Sequence, residues 1–106
     1  MKCKVKFTDT AKEDLRSIAV YVAEHSSVET AKRLVDKLRE RCLILEDYPE
    51  SGALPRDRIL ISNGYRFLVC GEYLIFYVYH PDENTAYILA SFNAKRDYMR
   101  VMKKYL

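Results

Sequence analysis

The chain has 106 residues, 49% of them hydrophobic, and a formal net charge of only +3. That length holds one domain with a modest core, and that charge excludes a strong overall field for nucleic acid. No run approaches the roughly 20 apolar residues of a membrane helix, and the opening MKCKVKF is too short and too polar for a signal peptide. Cys3, Cys42 and Cys70 are odd in number and lack metal-ligand spacing. They read as free thiols in a reducing cytoplasm, with no membrane association.

Lys2 to Phe7 alternates polar and apolar residues, the period of a half-buried strand. Thr8-Asp9-Thr10 then offers helix caps, and Thr10 with Glu13 has capping-box spacing. Ala11, Leu15, Ile18 and Val22 recur at helical spacing and define an apolar face. This helix is expected to end near His25-Ser26-Ser27, where Ser26 and Glu29 form a second capping-box pair. Ala31, Leu34, Val35, Leu38, Cys42 and Leu45 trace the stripe of a longer second helix. The short link between them predicts an antiparallel helical hairpin. Seven basic and eight acidic residues between Asp9 and Glu46 leave that hairpin nearly neutral, a pattern expected of a solvated outer face.

Tyr48-Pro49-Glu50-Ser51-Gly52 ends the second helix, and Leu54-Pro55 keeps the chain extended. Arg58 to Ser62 suggests a short irregular strand. Three runs rich in β-branched and aromatic residues follow: Tyr65 to Cys70, Tyr73 to Tyr79 and Thr85 to Phe92. Gly71-Glu72 and His80 to Asn84 separate them as turns, which predicts an antiparallel meander. On the middle run Leu74, Phe76 and Val78 share one face and are expected to pack on the helical hairpin. Tyr73, Tyr77 and Tyr79 share the other, under a short C-terminal helix signalled by Tyr98, Val101, Met102 and Tyr105. The fold class is α+β, one domain over residues 1–106, with helices against a small, mostly antiparallel sheet.

Charge is concentrated at the end. Residues 95–106 carry Lys95, Arg96, Arg100, Lys103 and Lys104 against Asp97 alone. Lys95 and Arg96 are expected to open the C-terminal helix, against the preference of its dipole for negative charge there. His25 and His80 lie in turns with no evident carboxylate partner.

Four pieces in order resemble the RelE/ParE toxin superfamily: TDTAKEDLRSIAVYVAE, LEDYPESG, GYRFLVCGEYLIFYVY and AKRDY. The resemblance spans essentially the whole chain. It implies the toxin of a type II toxin–antitoxin pair, a cytoplasmic growth inhibitor linked to plasmid stabilization and neutralised by a cognate antitoxin from the neighbouring gene. RelE-like members are endoribonucleases (mRNA interferases) that cut messenger RNA on the ribosome. ParE-like members inhibit DNA gyrase without catalysis. Metal-free RNA cleavage needs a base for the 2′-hydroxyl, cations for the phosphorane and an acid for the leaving oxygen. Through the resemblance Arg66 falls on a strand lysine, and Arg96 on the arginine after the last strand. Tyr98 lies about one helical turn before the catalytic tyrosine. These three are the expected catalytic set. Lys95, Arg100 and Lys103 are expected to bind RNA or antitoxin. Leu68 and Leu74 depart from the RelE-like pattern, where a lysine and an arginine are expected. RNA cleavage is the leading expectation and gyrase inhibition the alternative. Neither a cofactor nor a metal site is expected.

Overall fold

A computed structural model describes residues 2–106. The chain runs β1 (Lys4–Phe7), α1 (Asp9–His25), α2 (Val28–Cys42), a 3-10 turn at Leu43–Glu46, α3 (Arg58–Ser62), β2 (Tyr65–Cys70), β3 (Tyr73–His80), β4 (Thr85–Asn93) and α4 (Tyr98–Met102), with a final 3-10 turn at Lys103–Tyr105. The sheet order is β1-β4-β3-β2. The meander is antiparallel as expected, whereas β1 joins β4 in parallel across the α1–α2 crossover.

The caps sit slightly off their expected places. Thr8, not Thr10, caps α1: its Oγ1 accepts from the Ala11 N–H at 3.1 Å and donates to the Ile88 carbonyl at 2.9 Å. Ser27, not Ser26, caps α2 by accepting from the Thr30 N–H. Arg58 to Ser62 is a helical turn rather than a strand. Asp57 Oδ1 accepts from the N–H groups of Ile59 and Leu60 at 2.9 and 3.2 Å, and this cap nucleates the turn while Leu60 anchors it in the core.

The sheet has a core on each face. Against the hairpin lie Leu68, Ile75, Tyr77, Ala86 and Ile88, with Ala11, Leu15, Leu38 and Cys42 from the helices. Against α3 and α4 lie Leu74, Phe76, Ala90 and Phe92, with Leu60 and Met102. This reverses the expected facing of β3. Its tyrosines meet the hairpin, and Leu74 and Phe76 meet the C-terminal helix. Alternation shows which residues share a face, but not which layer covers it. A bulge in β4 supports the arrangement. Tyr77 pairs with Ile88 and Phe76 with Ala90, so Leu89 has no partner on β3. The extra residue turns Ile88 toward the hairpin and both Leu89 and Ala90 toward α4.

Candidate functional site

Arg66 lies on β2 opposite Tyr77 of β3. The loop after α2 folds over both. Tyr77 is fully buried, and its hydroxyl accepts from the Gly52 N–H at 2.9 Å. Burial pushes this phenol above its usual range, which keeps it protonated. A Cβ at residue 52 would sit 2.6 Å from the Tyr77 ring and hydroxyl and 3.0 Å from the Phe67 carbonyl, so the loop approaches the sheet this closely only with glycine. The Arg66 guanidinium donates to the Gly52 carbonyl at 3.0 Å and stands 3.9 Å from Glu50. Neither Glu72 nor Asp97 lies within ion-pair reach of it. Arg66 therefore clamps a loop to the sheet.

Arg96 sits elsewhere. Asn93, from which its segment departs, pairs with Tyr73, four residues along β3 from the partner of Arg66. At ordinary strand spacings that is roughly 13 Å along the sheet and about 10 Å across it. Arg66 and Arg96 therefore do not share one edge of the sheet. Arg96 is exposed, its guanidinium 5.8 Å above the Phe92 ring. Lys95 is exposed beside it, its N–H bonded to Asn93 Oδ1. Both precede α4, whose N-cap is Asp97, accepting from the Met99 N–H at 3.1 Å. The expected conflict of these cations with a helix dipole does not arise, because a carboxylate occupies the helix end.

Tyr98 opens α4 with its ring against Phe67 and Phe76 and its hydroxyl accepting from the Arg56 N–H at 2.9 Å. It is half-buried and its hydroxyl is engaged in holding a loop. Arg100 and Lys103 are exposed on the C-terminal turns. The structure thus brings Lys95 and Arg96 together but does not bring Arg66, Arg96 and Tyr98 to one point.

Arg96 and Lys95 instead rim an open cavity of about 420 Å³ between α1 and the end of β4, with Asp14, Tyr21, Tyr73 and Ser91 around it. Asp14 accepts from the Ser91 N–H at 3.0 Å. Burial raises its carboxyl pKa, opposed by that hydrogen bond and by Lys104 and Arg96. The Ser91 hydroxyl is buried without a partner. The β3–β4 turn gathers His80, Asp82 and Glu83 with potential ligand atoms within 4.8 Å of one another. Both oxygens of Glu83 are already engaged, one by the Tyr87 hydroxyl and one by the His80 ring. The His80–Glu83 pair was missed in the sequence although its i,i+3 spacing in a turn was visible.

Residues 5–98 match the model of a family described as the ParE toxin of the type II toxin–antitoxin system parDE. The chain belongs to the ParE toxin family. Three solved structures share its fold. The chromosomal ParDE system of P. aeruginosa aligns at TM-score 0.72 and 19% identity, over 87% of this chain and 96% of that one. The RelBE2 toxin–antitoxin complex of Mycobacterium tuberculosis aligns at 0.66 and 21%, over 88% and 92%. A double-arginine mutant of E. coli RelE in its free state aligns at 0.65 and 13%, over the whole of both chains. No curated protein sequence matches the chain. The toxin of a type II system is thus the family role, on a scaffold shared by ParE-like and RelE-like proteins. Among the described residues no helix is long and apolar enough to cross a membrane.

Proposed function

We propose that this toxin arrests growth by binding a target, DNA gyrase in the ParE-like manner, rather than by cutting messenger RNA on the ribosome. One observation carries this reading: the residues expected to perform cleavage are structurally occupied or separated. Arg66 holds the Gly52 carbonyl, and Tyr98 holds the Arg56 N–H. Arg96 stands at the far end of the β3–β4 pair. Cleavage needs cations and a proton carrier around a single phosphate. Leu74, where the RelE-like pattern calls for an arginine, is packed in the apolar core against α4. The match to the ParE family adds support. The structural relatives come as toxin–antitoxin systems, so a cognate antitoxin is the natural neutralising partner.

A supercoiling assay with purified gyrase, run beside primer extension on a message in a translating extract, tests the reading. The expected result is lost supercoiling with intact message. Ribosome-dependent cuts at intact supercoiling would overturn it and restore the enzymatic alternative.

A further inference from the structure

We propose that the cavity between α1 and the end of β4 is a binding site for a free α-amino acid with an aromatic side chain, its ammonium held at Asp14 and its carboxylate at Arg96 and Lys95. The site does not depend on which target the toxin inhibits. Its volume of about 420 Å³ falls in the range of small-molecule sites, about 300–1,000 Å³.

The strand arrangement makes the cavity. β1 stops at Phe7, opposite Ile88, so the end of β4 has no strand on that side. Helix α1 stands there instead, and Asp14 Oδ2 accepts from the Ser91 N–H at 3.0 Å. The other Asp14 oxygen has no hydrogen bond among the described residues and remains available to a ligand. Ser91 belongs to the same lining. It is only 4% exposed, and its hydroxyl has no partner, a costly arrangement for a buried polar group.

The second observation is a carboxylate and a guanidinium held in one cavity without meeting. Arg96 lies close enough to Asp14 to oppose the rise of its pKa, as does Lys104. Yet no ion pair joins Asp14 to Arg96, Lys95 or Lys104 among the described residues. Arg96 rests over the Phe92 ring instead, at 5.8 Å. An acid and a base kept apart in this way match the two ends of a zwitterion. An ammonium offsets the burial that disfavours a bare carboxylate at Asp14. A carboxylate fits the planar fork of an arginine. A phosphate would satisfy the cations but set a second anion beside Asp14. A simple amine would satisfy Asp14 and leave the cations unused.

The remaining wall suits an aromatic body. Asp14, Ile18 and Tyr21 stand at i, i+4 and i+7 on one face of α1, and Tyr73 faces them from β3. Tyr21 is exposed but held in place by stacking on His25, with ring centroids 4.1 Å apart. Burial raises the Tyr73 phenol above its usual range, so it stays a neutral ring with one donor.

The test is calorimetric titration of the full chain with L-phenylalanine. Phenethylamine, which lacks the carboxylate, and 3-phenylpropionate, which lacks the ammonium, are titrated beside it. Expected are saturable binding of phenylalanine and affinities about tenfold or more lower for each analogue. Asp14→Asn should cost phenylalanine about tenfold or more and leave 3-phenylpropionate unchanged. Lys95→Ala combined with Arg96→Ala should do the reverse, weakening phenylalanine and leaving phenethylamine unchanged. An analogue that binds as tightly as phenylalanine would overturn the proposal. So would GMP binding more tightly than phenylalanine, affinities that ignore both sets of substitutions, or no saturable binding at millimolar ligand. Thermal melts check that the variants fold, and if Asp14→Asn does not, the two analogues on the unaltered chain decide.

Discussion

The two faces of the central sheet are built from one short run of β3, yet they are held differently. Toward α4, Phe76 stacks on Phe92 at 5.7 Å and leans on Phe67 and Tyr98, an almost wholly apolar layer. Toward the hairpin, Tyr77 is buried just as fully but ends in a hydroxyl that fixes the Gly52 loop. On the first face the hydrogen-bonding hydroxyls belong to partly buried rings around the phenylalanines, as where Tyr98 accepts from the Arg56 N–H, whereas on the second a fully buried ring couples packing to a loop that also engages Arg66. An arginine near a sheet can thus look like a phosphate ligand in the sequence while serving the loop in the structure.

Substitutions can break or sharpen that contrast. The largest effect is expected from Phe76→Ala, which empties the centre of the aromatic layer and should cost about 3–5 kcal/mol in chemical denaturation. A loss below that of Tyr77→Phe would show that the aromatic layer contributes less than the Tyr77–Gly52 hydrogen bond. Next comes Gly52→Ala. Its Cβ would overlap Tyr77, which is fully buried and has no room to swing aside, so overpacking of about 1–3 kcal/mol should appear as a lower melting temperature. Tyr77→Phe keeps the ring and strands the Gly52 N–H, with an expected loss of about 1–3 kcal/mol. In the double variant with Arg66→Ala the two losses should be non-additive, because both hold the same residue.

A smaller effect is expected at Asp14, beside the Arg96 cavity. Burial raises its carboxyl pKa in the folded state above the ordinary value, so the folded protein binds that proton more tightly than the unfolded chain does. Its contribution to stability is fully present below the unfolded pKa and is lost as pH rises through the folded one. Asp14→Asn retains an oxygen for the Ser91 N–H and should flatten the stability profile in the acid range, with little cost at neutral pH. A steeper profile in the variant would contradict the assigned cause. Smallest of all, Arg96→Ala should leave the melting temperature essentially unchanged, within about 0.5 kcal/mol, because the side chain is exposed and its ring contact is partial.

Much of the architecture is written locally. The 3.6-residue stripes fix the hairpin, and Gly71 with φ +58 and Asn84 with φ +47 serve the turns that join the meander. Strand β2 has the bounds its apolar run predicts. The family resemblance is equally legible, since its four pieces lie on the elements they suggest. What the chain could not show locally was the layer facing each side of β3. A period of two labels faces without naming their neighbours, and the Leu89 bulge that redistributes β4 leaves no mark in a run of small and apolar residues. The same limit governed the site. Arg66, Arg96 and Tyr98 are suitable residue types for phosphate chemistry, but chemistry depends on convergence. Convergence was decided by long-range contacts: Gly52 with Tyr77, Arg56 with Tyr98, and the strand order that places β2 and the exit of β4 apart.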